Sequence, residues 1–360
     1  MINSSRSNIK NNLVLKTGGH GLGTGYFADP RVAIENNGSC LFVSDAGSND
    51  IAAFAATSEN PLAFNPTPTR YPSGGDGSDY GIGLAITPNG KTLFATLDEL
   101  EEVAIFTIGP GCILHPTIPI PVNDVVGPIA VSSDGKVLIV PGPNNSFVDA
   151  FAINSTGGLT LINTVSLNSV SSCSVVGCFP TGTDISNVSG GNATVVLGNG
   201  TVSGPYYITC SLNTTVGLSN CVNNNLTGTS LANIENPWFS SAGATGNGFI
   251  YFGASGDGSG YPAGVAVNQV TAGVINPASI TSYVNIAGEF CSNVQSTGHA
   301  ATQGAEFLWQ SCSGSNEDNT TYEYSVSTAG GGSITLFKSY PNPQAQGNTF
   351  VLSLIAYPKR

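Results

Sequence analysis

The sequence predicts an all-β fold that is built from one short unit repeated along the chain. Three copies are clear, and they occupy Val32–Phe54, Leu84–Phe106 and Ile129–Phe151. Each copy has an alternating apolar run, an Asn-Gly or Asp-Gly turn, a second apolar run, a polar loop and a third run that ends in Phe. Such a turn between alternating runs predicts a hairpin, because a type I′ turn needs positive φ at both central residues. A three-strand unit that recurs about every 45–55 residues is typical of a β-propeller.

The number of blades follows from the turn glycines. Weaker turns continue the series, which then comprises Gly38, Gly90, Gly135, Gly191, Gly246, Gly304 and Gly347. We therefore predict a single domain, residues 1–360, with seven blades, or six if the last turn does not mark a blade. The strand-like segment 12–17 and the apolar run 349–357 predict a closing blade made from residues 1–18 and 340–360. Joining both ends in one blade removes the open edges of the ring.

The eight cysteines predict disulfides and therefore an oxidising compartment. A zinc site is disfavoured because no C-x-x-C pair occurs and the three histidines are scattered. Cys210 and Cys221 flank two strands and their turn, which predicts a cross-strand bridge. Cys173 with Cys178 closes a small ring within one loop, whereas the pairs Cys40–Cys112 and Cys291–Cys312 follow by elimination only.

Glycosylation sequons point to the same compartment, so we expect a secreted, extracellular glycoprotein. Asn-x-Ser/Thr occurs at ten positions, namely Asn3, Asn37, Asn144, Asn154, Asn187, Asn192, Asn199, Asn213, Asn225 and Asn319.

Composition narrows the class of partner. The net charge is −12 and only 9% of residues are charged, so no basic stripe exists to bind nucleic acid. The same negative net charge disfavours anionic sugar phosphates as substrates. No run approaches the ~18 apolar residues of a membrane-spanning helix. We expect a neutral small molecule or glycan as partner, with self-assembly as a further option.

The repeat resembles the YVTN-type propellers and, more broadly, the seven-bladed lactonase-like superfamily. The resemblance covers about residues 28–165 and is carried by the turns Asn89-Gly90-Lys91 and Asp134-Gly135-Lys136 with the strands that follow them. It implies a seven-bladed propeller. It also implies chemistry such as sugar-lactone hydrolysis or muconate-lactone cyclisation, which the superfamily performs with Glu, His and Arg around the channel mouth.

Acids recur in the loops that lead into the first strand of each unit, which we call the leading loops. Five of these loops have an acid near the same point, namely Asp29, Asp79, Asp124, Glu235 and Glu289. The fourth loop has Pro180 there and Asp184 slightly later. The acids either cap turns by accepting backbone hydrogen bonds or form a carboxylate collar that holds a cation or raises the pKa of one member.

Aromatic residues, one histidine and one arginine complete the predicted site. We assign the catalytic roles to Glu235, Glu289 and His20, the histidine in the Gly-rich loop of the first unit. The predicted ligand-binding residues are Tyr26, Asp29, Arg31, Asp79, Tyr80, Asp124, Phe179, Trp238, Phe239 and Phe290. No cofactor is predicted. The repeated GDGS of Gly75–Ser78 and Gly256–Ser259 leaves Ca²⁺ as an alternative, although it lacks the spaced ligands of a known calcium loop.

Three functions are compatible with this reading. The first is a secreted enzyme that acts on an uncharged small molecule at the channel mouth, through lactone-type hydrolysis or a dehydration and cyclisation step. The second is a non-catalytic extracellular binding propeller, and the third is a structural cell-surface glycoprotein that forms an assembly. We place the enzyme first.

Overall fold

The computed structural model describes most of the first 225 residues and the later strands. The described residues are 15–21, 31–59, 62–75, 82–97, 100–123, 128–142, 146–170, 173, 178–199, 206–225, 249–254, 263–271, 274–286, 289–296, 306–314, 319–326 and 334–341, and for those within 249–308 and 310–319 the description covers the backbone only.

The described strands form six antiparallel sheets, which follow one another in sequence. The first blade contains β1 (Val32–Ile34), β2 (Cys40–Asp45), β3 (Asp50–Glu59), β4 (Leu62–Phe64) and β5 (Thr69–Pro72). The second blade contains β6 (Leu84–Ile86), β7 (Thr92–Leu97), β8 (Glu102–Gly109), β9 (Ile113–Pro116) and β10 (Ile120–Pro121). The third contains β11 (Ala130–Val131), β12 (Val137–Gly142), β13 (Phe147–Ile153) and β14 (Leu159–Ser166). The fourth contains β15 (Pro180–Ile185), β16 (Asn192–Asn199), β17 (Tyr206–Asn213) and β18 (Gly217–Asn225).

Two further sheets lie later in the chain. A three-stranded sheet contains β19 (Phe249–Ala254), β20 (Ala263–Thr271) and β21 (Val274–Ile286). The last blade contains β22 (Glu289–Ser296), β23 (Glu306–Gly314), β24 (Asn319–Val326) and β25 (Ile334–Pro341). Short 3-10 helices occur at Ala46–Ser48, Pro110–Cys112 and Leu167–Ser169. None of the described helices is long and apolar enough to cross a membrane.

The all-β propeller is confirmed, but the count of seven blades is wrong. Five sheets of the described chain have four or five strands, and the sheet β19–β21 has three. The count failed because a turn glycine marks a hairpin, and a hairpin becomes a blade only where four strands pair. The turns at Gly246, Gly304 and Gly347 lie outside the described residues, as do nearly all of the two ends that we predicted to close the ring.

The hairpin turns confirm the repeat but differ in type from the prediction. In the first three blades the turn glycine has positive φ, +75° at Gly38 and +71° at Gly90 and Gly135, whereas the preceding Asn or Asp does not. The glycine N–H donates to the carbonyl three residues earlier, as in Gly38 to Glu35 at 2.7 Å. These are type I turns followed by a left-handed glycine, not type I′ turns.

The apolar cores lie between blades. One cluster joins Phe42 and Ile51 of the first blade to Leu84 and Leu93 of the second. Equivalent clusters join the second blade to the third and the third to the fourth. Because each blade packs on both faces, the second strands β7 and β12 are buried along their whole length. Apolar side chains on both sides of these strands therefore stabilise the stack of blades.

Three of the predicted disulfides are present. Cys40–Cys112 joins the first blade to the second, with the Cα atoms 5.6 Å apart. Cys173–Cys178 closes a ring in the loop before β15, and Cys210–Cys221 bridges β17 and β18. In the last blade, Cys291 on β22 lies opposite Cys312 on β23, so their backbone register favours the fourth pair.

The Cys291–Cys312 bridge stays a prediction that mass spectrometry can test. We expect no cysteine to be alkylated in the denatured, unreduced protein and eight to be alkylated after reduction, because antiparallel partners bring their side chains within bonding reach. Alkylation of Cys291 and Cys312 before reduction would contradict the pairing, and the three bridges described above serve as internal controls.

Candidate functional site

The innermost strands of the first four blades surround the propeller axis. Strands β1, β6, β11 and β15 contact one another in sequence order, as the first strands of propeller blades do around a central channel. The first residues of β1, β6, β11 and β15 lie at the same end of these blades as the last residues of the second strands, with which they pair antiparallel. We call this end the mouth face.

Most of the predicted collar and its neighbouring aromatic residues lie outside the described part of the chain. These eight residues are Tyr26, Asp29, Asp79, Tyr80, Asp124, Glu235, Trp238 and Phe239. Glu289 and Phe290 begin strand β22, opposite Gly314 and Ser313 of β23, and their side chains are outside the description. The collar therefore stays a prediction.

Asp184, the acid that follows the fourth leading loop, has a side chain within the described part of the structure. It lies on the innermost strand β15, opposite Val196 of β16. Its neighbour Ile185 is buried in the cluster shared with the third blade. Because successive side chains of a strand point to opposite faces, Asp184 lies on the face of the fourth blade that is turned away from the third.

Register comparison shows that Asp184 replaces an alanine. Ala33 pairs with Phe42, Ala85 with Phe94 and Ala130 with Ile139, at the position where Asp184 pairs with Val196. The third strand shows a similar difference. The third-strand residue that pairs with the second strand at this level is Ala53, Ile105 or Ala150 in the first three blades and Thr209 in the fourth. In the fourth blade the first-strand and third-strand positions of this row are therefore polar, while Val196 between them stays apolar; all three positions are apolar in the first three blades.

The environment of Asp184 opposes ionisation. Burial raises the pKa of this half-buried carboxyl from 3.8 to about 8, and the hydrogen bond from its own neighbour's backbone, Ile185 N to Oδ1 at 2.7 Å, only partly offsets the increase. Thr194 and Tyr207 lie on the same face of the fourth blade and are buried. A carboxyl that titrates near neutral pH can both accept and donate a proton, which is what an acid–base catalyst requires.

His20 lies in a second polar cluster, at the mouth face of the first blade. Its backbone N–H donates to Ser48 Oγ at 2.9 Å, and the Thr17 hydroxyl donates to Asp45 Oδ1 at 3.0 Å. Arg70 donates to Ser48 Oγ at 3.2 Å and forms an ion pair with Asp50. Segment 15–21 is therefore attached to the turn between β2 and β3.

Two acids in this cluster lie close enough to influence one another. Burial raises the pKa of Asp45, and the charge of Asp50 raises it further, while Thr17 and Arg70 act in the opposite direction. Among the described residues, no three His, Cys, Asp or Glu side chains form a metal-binding group.

Two of the predicted ligand-binding residues are held by the scaffold. Arg31 is 9% exposed, and its carbonyl oxygen accepts a hydrogen bond from Ser44 N at 3.0 Å. Phe179 is half-buried, and its N–H donates to Asn199 Oδ1 at 3.0 Å. The structure places these two residues in the first and fourth blades and does not bring them together with His20 in one described site.

One predicted glycosylation site is excluded. Asn199 is fully buried, and its amide donates to Asn223 Oδ1 at 3.3 Å, so no glycan fits there in the folded protein. Asn213 is half-buried. Among the sequon residues whose side chains are described, four are exposed, namely Asn37, Asn154, Asn187 and Asn192. Glycosylation of these sites stays a prediction.

Comparisons with known proteins support the fold. No family model and no curated protein matches the chain. Among solved structures, a Lactobacillus plantarum protein is 13% identical, with 94% of this chain and 89% of that chain covered and a TM-score of 0.63. A candidate 6-phosphogluconolactonase of Bacteroides fragilis is 14% identical, with 88% and 85% covered and a TM-score of 0.56. Kuenenia stuttgartiensis hydrazine synthase is 12% identical, with 83% and 77% covered and a TM-score of 0.56. At these identities the similarity establishes the propeller fold, which candidate lactonases share.

Proposed function

We propose that the chain is a secreted hydrolase that opens an uncharged lactone, with Asp184 as its acid–base group. The observation that carries the proposal is a carboxyl on an innermost strand, at a position that holds alanine in three other blades, with its pKa raised to about 8. A carboxyl group at a repeat position that is otherwise apolar lowers the stability of the folded protein. Residues that destabilise the fold in this way are found mainly where function requires them.

The chemistry needs one proton carrier. The Asp184 carboxylate accepts a proton from water as the water oxygen attacks the lactone carbonyl carbon. The ring C–O bond then breaks, and the carboxyl returns the proton to the leaving oxygen, which yields a hydroxy acid. A base works best when its pKa lies near the working pH, and about 8 meets that condition.

Three other features support the proposal. The net charge of −12 favours a neutral substrate over a phosphorylated one. The fold is shared with candidate lactonases, so a lactone is a suitable first substrate class. The three disulfides are typical of proteins in oxidising compartments.

Substitution of Asp184 by asparagine tests this function. With glucono-1,5-lactone as substrate in a pH-stat assay, we expect Asp184→Asn to lower kcat/KM by about 100-fold or more, because the variant cannot carry the proton. Wild-type kcat/KM, corrected for spontaneous hydrolysis, is expected to rise with pH and level off above about 8, as Asp184 ionises.

The matched control is Asp134→Asn. Asp134 lies in the turn between β11 and β12 at the end opposite the mouth face, where its Oδ1 accepts a hydrogen bond from Lys136 N at 3.2 Å. Asparagine preserves that bond, so this variant should keep wild-type turnover. Loss of turnover in Glu235→Gln or Glu289→Gln but not in Asp184→Asn would place catalysis in the predicted collar. A folded wild type that hydrolyses neither this lactone nor an alkyl δ-lactone would refute the proposal and favour the non-catalytic alternatives.

A further inference from the structure

Buried oxygen atoms without hydrogen-bond donors gather in the turn between β2 and β3 of the first blade. Asp45 and Asp50 are only 6% and 7% exposed. Among the described residues no N–H or hydroxyl group donates to Asp45 Oδ2, Asn49 Oδ1 or Asp50 Oδ1, although all three atoms are buried. The carboxyl groups of Asp45 and Asp50 lie within hydrogen-bonding reach of each other, so either a shared proton or a cation must hold them together. Buried polar atoms are nearly always paired, so three unpaired acceptors within six residues need an explanation.

The chemistry of these atoms points to a positive partner. The other oxygen of Asp45 accepts from the neutral hydroxyl of Thr17, and the other oxygen of Asp50 is paired with Arg70. When both carboxyl groups are ionised, the single guanidinium leaves one negative charge without compensation inside the fold; a proton shared by Asp45 and Asp50 is the alternative to a bound cation. Buried charges are stable when they are paired or coordinate a metal ion.

Segment 15–21 encloses the same turn. Gly19 packs directly on the Asp45 carboxylate, so that any side chain at position 19 would overlap it. The carbonyl oxygens of His20 and Gly21 lie against Gly47, 2.9 Å and 3.1 Å from where a Cβ atom of Gly47 would stand. Two backbone carbonyl oxygens of segment 15–21 therefore lie against the same turn.

We propose that this turn is a Ca²⁺ site whose side-chain ligands are Asp45, Asn49 and Asp50. The donor set consists of oxygen atoms only, and Ca²⁺ accepts irregular arrangements of carboxylate, amide and carbonyl oxygens. Mg²⁺ fits less well because it demands near-octahedral geometry and keeps its waters. The ion supplies the missing positive charge and attaches segment 15–21 to the first blade. The site is separate from Asp184, so each proposal can fail without the other.

Asn49 offers a sharp test because its backbone suits glycine. Its φ is +53°, a conformation that glycine adopts without strain. Asn49→Gly removes the side-chain amide, including the proposed oxygen ligand, without straining the backbone. We expect it to weaken Ca²⁺ binding at least tenfold in calorimetric titration of the EDTA-treated full chain with CaCl₂. Asn49→Asp adds a negative charge and should bind Ca²⁺ more tightly than wild type. For wild type we expect a dissociation constant of about 1 mM or below, the range of extracellular calcium modules.

Asp134→Asn serves as the control and should bind Ca²⁺ as wild type does. Hydrogen exchange of residues 15–21 gives an independent readout, because bound Ca²⁺ should slow it in wild type and not in Asn49→Gly, while MgCl₂ should have a smaller effect. A folded wild type without calcium-dependent heat or protection would show that a proton shared by Asp45 and Asp50, or water, satisfies these oxygens, and would overturn the assignment. Equal affinities of wild type and Asn49→Gly would likewise overturn the assignment.

Discussion

Asp184→Ala is expected to be more stable than wild type above neutral pH. The unfolded carboxyl ionises near its ordinary pKa of 3.8, whereas burial keeps the folded one protonated up to about pH 8. The wild type therefore loses stability as pH rises between these values, by up to ~1.4 kcal/mol per pH unit. Because Asp184 is half-buried and retains some solvent contact, we expect a gain of about 2 kcal/mol at pH 7 for the alanine variant.

Urea unfolding of wild type, Asp184→Ala and Asp134→Asn between pH 4.5 and about 8.5 measures this effect. The two curves of wild type and Asp134→Asn should run in parallel, while Asp184→Ala should lose less stability as pH rises. An alanine variant that is less stable than wild type at pH 8, or that shows the same pH dependence, would mean that Asp184 is ionised and well solvated. Higher stability together with lost turnover is the combination that a functional carboxyl in an apolar position predicts.

The first three blades could be predicted because their signals are local. Alternating strands and Gly38, Gly90 and Gly135 determine each hairpin within about 20 residues, and the register pairs follow from that pattern. The turn type could not be read from the sequence, since type I′ turns and type I turns followed by a left-handed residue both favour Asn-Gly or Asp-Gly. The number of blades depends on which distant strands pair, and turn residues contain no information on that.

The candidate sites differ in how far the sequence could reveal them. Asp184 could not be aligned with Ala33, Ala85 and Ala130 from the turns alone, because it precedes its turn glycine Gly191 by seven residues, whereas each alanine precedes its own turn glycine by five. The sequence showed only that an acid follows the fourth leading loop. The oxygen cluster of Asp45, Asn49 and Asp50 could not be inferred, because its enclosure depends on segment 15–21 lying across a turn about 28 residues later in the chain. The Cys40–Cys112 disulfide could be predicted only by elimination, since its two residues belong to different blades.

Removal of the Cys40–Cys112 bridge is expected to cost more stability than removal of any other described disulfide. The two cysteines are 72 residues apart in sequence, and cross-linking a loop of that length stabilises the folded state by about 4 kcal/mol through the entropy of the unfolded chain. The bridge also connects the first blade to the second, where both sulfurs are buried in the shared core. Cys173–Cys178 spans only five residues, for which the same relation gives about 2 kcal/mol.

The double variants Cys40→Ala/Cys112→Ala and Cys173→Ala/Cys178→Ala provide the comparison. Alanine is chosen because both pairs are buried, at 4% and 2% exposure in the first and 2% for each residue of the second, so that serine would place unpaired hydroxyls in the core. Each variant removes two sulfur atoms from a core between blades, so the losses from side-chain volume are similar and the difference between the variants reports the length of the closed loop. In urea unfolding at neutral pH, we expect the first variant to lose about 2 kcal/mol more than the second. Equal losses would show that local packing, and not the connection between the first two blades, determines what these bridges contribute.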